Sequence, residues 1–182
     1  MPLTLDRATI ERALAALNAR LEAAGVTGEL CIFGGSAMVL AFDARPTTRD
    51  VDAVFRPPAL IREAAAAIAE EMSLPANWLN DGVKGFVSNT PEYVTEGLLQ
   101  FPHLRVIRPS AAYLLAMKCI AARVEGYDTP GDKGDARFLA RHLGLRTADE
   151  VLDIVTRYYP ASRLAVKTQY FVQEIMQELA NE

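Results

Sequence analysis

Histidine and cysteine are scarce in this chain, two of each in 182 residues. His103 and His142 stand alone, without the spacing that metal-binding histidines keep. Cys31 and Cys119 lie inside apolar runs, where a thiol packs as a small hydrophobe more readily than it pairs or binds metal. Positive charge is not in excess either. Nineteen Lys and Arg against 23 Asp and Glu give a net charge of −4, which excludes a global basic footprint for nucleic acid and leaves room only for a local patch. No apolar run approaches membrane-spanning length. The N-terminus has mixed charge and lacks the apolar core of a signal peptide, so a cytoplasmic protein with no membrane partner is expected. There is no internal repeat and no low-complexity tract beyond an alanine run.

What is present is a hydrophobic fraction of 51%, ample for the core of one domain, or of one domain with a helical extension. Asp6 to Ala24 carries Ile10, Leu14, Leu17 and Leu21 at helical spacing, with Gly25 as a stop. Leu30 to Phe33 reads as a strand, and Ser36 opens a short apolar helix through Phe42. Val51 to Phe55 alternates as a strand, and Pro57-Pro58 starts a helix from Ala59 to Met72. Helix is favoured around Trp78 and Leu79. Leu98 to Phe101 and Leu104 to Ile107 read as two short strands. From Ser110 the spacing predicts helices over Ala111–Glu125, Asp132–Leu143, Ala148–Tyr158 and Ser162–Leu179, with Thr147 as an N-cap. The expected fold is therefore α+β. A mixed sheet flanked by helices occupies residues 1–109, and a helical part packed on that core occupies 110–182.

Gly34-Gly35-Ser36 and Asp50-Val51-Asp52, thirteen residues apart, carry the chemistry. Glycines after a strand let the backbone approach a ligand closely. The first amides of the following helix point outward and suit phosphate, with the Ser36 hydroxyl as a further donor. On a strand, Asp50 and Asp52 share one face, a geometry fit for Mg²⁺ or Mn²⁺ bridging to phosphate oxygens. A glycine turn beside two solvated carboxylates is the plainer reading. Arg45, Thr47, Thr48 and Arg49 fill the loop between the motifs; they suit a triphosphate or a solvated loop equally. Lys118 is the single charge between Tyr113 and Ala122, either snorkelling at a helix edge or aimed at phosphate. Arg123 points to a different side. Asp132 and Asp135 complement the dipole of their own helix and could also pair with Lys118 or Arg123.

Gly34-Gly35-Ser36, the Arg45–Thr48 loop and Asp50-Val51-Asp52 resemble the signature of the polymerase-beta-like nucleotidyltransferase superfamily. Leu114 to Lys118, then Ala122-Arg123 and Asp132-Lys133-Gly134-Asp135, resemble its AbiEii-type branch found in toxin–antitoxin systems. The resemblance covers residues 30 to 143. It implies Asp50 and Asp52 as catalytic metal ligands, with Gly34, Gly35, Ser36 and Arg49 at the nucleotide. Lys118 would meet the nucleotide or the transition state, supported by Asp132 or Asp135. The implied reaction moves a nucleoside monophosphate from an NTP to an acceptor hydroxyl of an RNA or a protein. A cognate partner protein is implied as well. One departure stands out. Many such enzymes carry a third carboxylate on a later strand, and Leu98 to Ile107 contains no Asp or Glu. A nucleotide-binding or partner-binding member with weak or no catalysis is the alternative.

Overall fold

A computed structural model describes residues 4–122 and 132–182. Arg123, and the predicted helix residues up to Glu125, lie outside the described residues. The chain divides into two units. One comprises the residues to Gly85 with Tyr93–Arg108; the other comprises Phe86–Glu92 with the residues from Pro109 onward. A boundary at residue 109 therefore misses one exchange: Phe86–Glu92 goes with the helical unit. Ser88 explains it, because its amide donates to the Tyr113 hydroxyl at 2.7 Å and its own hydroxyl donates to the Tyr158 carbonyl.

The first unit is built on a mixed sheet. Strand β1 (Leu5–Asp6) leads into α1 (Arg7–Ala23), whose N-cap Asp6 accepts from the Thr9 amide. Then come β2 (Gly28–Ile32), α2 (Gly34–Leu40), β3 (Thr47–Thr48), β4 (Val51–Arg56) and α3 (Pro58–Glu71). Strands β5 (Leu79–Asn80), β6 (Tyr93–Val94) and β7 (Leu104–Pro109) complete it. The sheet order is β5-β4-β2-β7-β6, with β2–β4 antiparallel and β2–β7 and β4–β5 parallel. The buried stripe of α1 (Ile10, Leu14, Leu17, Leu21) and that of α3 (Ile61, Ala65, Ile68) share a core with Leu30, Ile32, Val51, Ala53 and Phe55. That packing leaves the intervening positions of β4 on the other face of the sheet.

Two readings need correction. Leu79 is in a strand rather than a helix, followed by a 3₁₀ turn over Gly82–Phe86. Trp78 is fully buried and donates from its ring nitrogen to the Ala65 carbonyl at 2.9 Å, so its apolar neighbourhood belongs to a strand entry. Leu98 to Phe101 forms no strand beyond an isolated bridge from Phe101 to Leu104. The Gln100 side chain donates to the Val106 carbonyl at 2.7 Å and accepts from the Val106 amide at 3.2 Å, imitating one rung of a ladder.

In the second unit, α4 (Ala111–Ala121), α5 (Asp132–His142), α6 (Ala148–Tyr158) and α7 (Val166–Ala180) pack on one another. Thr147 caps α6 through a full capping box with Glu150. The last helix starts later than the sequence suggests, because Ala161–Arg163 forms a separate 3₁₀ turn and Leu164 leaves helical geometry at ψ 82°. Among the described residues, no helix is long and apolar enough to cross a membrane.

Candidate functional site

The turn after β2 is drawn tight by its own bonds. The Phe33 amide donates to the Asp52 carbonyl at 2.8 Å, and the Ser36 hydroxyl donates back to the Phe33 carbonyl at 2.8 Å. Ser36 is fully buried, so its hydroxyl proton serves the turn itself. Gly34 has φ +58°, a conformation side-chain-bearing residues rarely adopt. At the far end of α2, the Arg7 guanidinium caps the helix by donating to the Val39 and Leu40 carbonyls at 2.8 and 2.7 Å.

Three side chains close on the two glycines. A Cβ at Gly34 would lie 3.2 Å from Asp52 Oδ2, so that carboxylate rests against the turn. A Cβ at Gly35 would lie 2.6 Å from Thr48 Oγ1 and 3.2 Å from a terminal nitrogen of Arg45. The Arg45–Arg49 loop is braced for this. Leu5 pairs with Thr48 across β1 and β3, Arg45 Nε donates to the Thr47 carbonyl at 3.0 Å, and Thr48 Oγ1 donates to the Asp50 carbonyl at 3.2 Å. A carboxylate, a hydroxyl and a guanidinium thus surround one glycine turn. Arg49 is exposed, and its charge acts on Asp50.

Asp52 occupies a half-buried position of β4 between the buried Val51 and Ala53. Asp50 immediately precedes the strand and is also half-buried. Its Oδ2 accepts from Asn80 Nδ2 at 3.2 Å, and Asn80 is the register partner of Asp52 on β5. Register partners project to the same side of a sheet, so the bond to Asn80 brings the Asp50 carboxylate to the side that Asp52 occupies. Burial pushes the Asp50 carboxyl above its usual range, opposed by the Asn80 hydrogen bond and the Arg49 charge. Two carboxylates on one side suit a hard divalent cation that takes its other ligands from phosphate and water. No group of three or more His, Cys, Asp and Glu with metal-binding geometry occurs among the described residues.

Strand β7 carries cations instead of a third acid. On β7, Arg105 pairs with Glu29 at 2.8 Å. Arg108 is buried, donates from Nε to the Glu96 carbonyl at 2.9 Å, and lies 4.5 Å over the Phe42 ring. Cys31 and Cys119 are both buried free thiols. Burial pushes Cys119 up to about 12 and Cys31 higher still, so neither is a nucleophile near neutral pH.

In the second unit, Lys118 is buried in a helix whose positions from Tyr113 to Ile120 are all buried. Its ammonium donates to Asp132 at 2.9 Å and to Asp135 at 2.7 Å. Asp135 is itself buried and Asp132 is half-exposed. Those two bonds account for a lysine in an apolar helix. Sequence reasoning overlooked Asn80. The turn signal Asn80-Asp81-Gly82 marked the end of an extended segment there, and it was hidden by the helix reading around Trp78.

No protein-family model matches this chain, and no significant match was found among curated proteins or solved structures.

Proposed function

We propose that the first unit binds an NTP with Mg²⁺ or Mn²⁺ and transfers its nucleoside monophosphate to an acceptor hydroxyl, as polymerase-beta-like nucleotidyltransferases do. The observation that carries this reading is the convergence of the Asp52 carboxylate, the Thr48 hydroxyl and the Arg45 guanidinium on Gly34 and Gly35. Amides of the half-buried glycine turn would take phosphate oxygens, and Arg45 would offset their charge. Asp50 and Asp52 would hold the metal. When bound, the metal supplies charge neutralisation on the phosphate and pyrophosphate oxygens. In the reaction the acceptor oxygen forms a bond to the α-phosphorus and loses its proton to water. The bond from that phosphorus to the bridging oxygen breaks, and pyrophosphate leaves with its electron pair. Catalysis of this kind rests on holding the reactants in line and stabilising charge.

A second reading is favoured by one observation. Strand β7 presents Arg105 and Arg108 and no carboxylate, so no residue on it can accept the acceptor's proton. A member of this kind would bind NTP and a cognate partner protein, in a toxin–antitoxin-type system, without turnover. The test is labelling of total RNA and candidate proteins by each of the four NTPs with Mg²⁺ or Mn²⁺. The enzyme reading expects label that vanishes in Asp50→Asn and Asp52→Asn. Metal-dependent NTP binding without label for any acceptor would favour the second reading.

A further inference from the structure

We propose that Asn80 is a positioning residue of the metal site, its side-chain amide orienting the Asp50 carboxylate toward the cation. The inference rests on the reading of Asp50 and Asp52 as metal ligands and goes beyond it in naming what holds one of them.

Asp50 has a problem that Asp52 does not. Asp52 lies within β4, where its backbone is fixed by pairing and its carboxylate rests against Gly34. Asp50 precedes the strand, and its side chain needs an anchor of its own. Asn80 supplies one through Nδ2, 3.2 Å from Asp50 Oδ2. The orientation of the amide is fixed at its other end, because Asn80 Oδ1 accepts from the Gly82 amide at 3.1 Å. An ionised carboxylate only accepts hydrogen bonds, so the nitrogen must face Asp50 and the oxygen must face Gly82.

The backbone under Asn80 is equally anchored. Asp52 pairs with Asn80 and Val51 with Leu79 in the parallel β4–β5 register. One residue earlier, the Val51 amide donates to the Trp78 carbonyl at 2.6 Å, while the buried Trp78 ring is bonded to Ala65. The neighbouring acid does not compete for the role. Asp81 pairs with Arg62 and Lys84, which hold its carboxyl down at about 2. An asparagine at position 80 gives Asp50 a neutral donor. An aspartate there would set a third negative charge against two others. With Oδ2 of Asp50 bound to Asn80, Oδ1 is presented in a set direction. Partners of this kind orient ligating carboxylates in metal sites, and their removal costs roughly 10- to 100-fold in metal affinity.

The experiment measures Mn²⁺ affinity on the full chain by electron paramagnetic resonance of free Mn²⁺, beside the thermal unfolding midpoint. The variants are Asp50→Asn, Asn80→Ala and Asn80→His, the last keeping a ring nitrogen donor near the amide position. Asn80→Ala is expected to weaken Mn²⁺ binding about 10-fold with little change in midpoint, and Asn80→His to recover most of the affinity. Wild-type affinity in Asn80→Ala, with binding lost in Asp50→Asn, overturns the role of Asn80 and leaves the metal site standing. An affinity loss matched by a falling midpoint in both Asn80 variants makes the residue structural and likewise overturns the proposal. Absence of Mn²⁺ binding in the wild type, or binding unchanged in Asp50→Asn, removes the site itself and the inference with it.

Discussion

Gly34 and Gly35 are adjacent, yet each is required for a different reason. At Gly34 the constraint is the backbone, with φ +58°. At Gly35 it is space, because a Cβ would meet Thr48 Oγ1 at 2.6 Å. Thr48 is buried and its hydroxyl is bonded to the Asp50 carbonyl, so it cannot swing aside freely. Gly35→Ala is therefore expected to destabilise the protein by about 1–3 kcal/mol in urea unfolding, as overpacking does, and to weaken NTP binding by displacing Arg45. Asp50 gives a prediction of opposite sign. Burial raises its carboxyl above the ordinary 3.8, so the native state holds the proton more tightly than the unfolded chain. Stability then falls as pH rises from 3.8 through the raised value, and the ionised group is a standing cost at neutral pH. Without metal, Asp50→Asn should melt higher than wild type near neutral pH, with the difference shrinking as pH falls through the raised value to 3.8. A lower midpoint for Asp50→Asn near neutral pH contradicts this. The place of Asp52 on β4 was legible because alternation along a strand is a local signal; Asp50 precedes that strand instead of sharing its alternation, and the role of Asn80 was hidden because it arises from a hydrogen bond to a residue thirty positions away.

Elements with strong periodicity could be read directly. Helix α1 with its Gly25 stop, β4, and α6 with the Thr147 cap follow from spacing and capping chemistry; the Asp6 cap of α1 did not figure in the sequence reading. Short edge elements could not. Strand β5 has two residues and exists because β4 offers it a partner, and the place of an expected strand is taken by the side chain of Gln100. Lys118 belongs to this scale because it joins helix α4 to helix α5. Removing one partner of a buried ion pair strands the other charge. Lys118→Met would leave the buried Asp135 without its ammonium, at a cost of about 3 kcal/mol. Asp132 remains half-exposed, so the low end of that penalty applies. Lys118→Met combined with Asp135→Leu should recover most of the loss in urea unfolding. No recovery in the double variant would show that the pair is not what holds these two helices.

At the scale of the molecule, the division into a mixed-sheet half and a helical half follows from the change in hydrophobic period near residue 110. The transfer of Phe86–Glu92 to the helical unit was not legible, since the bonds from Ser88 to Tyr113 and Tyr158 span long stretches of sequence. The motifs that suggest a nucleotide site fall within the first unit, and the Lys118 triad falls within the second. The central claim is that Asp50 and Asp52 form a metal-dependent NTP site on the glycine turn. Calorimetric titration of each NTP into the full chain, with Mn²⁺ and then with EDTA, tests it most directly. The account predicts binding of at least one NTP that requires Mn²⁺ and is lost in Asp52→Asn. Equal binding in EDTA and Mn²⁺, no binding of any NTP, or an Asp52→Asn variant that binds as wild type would contradict it.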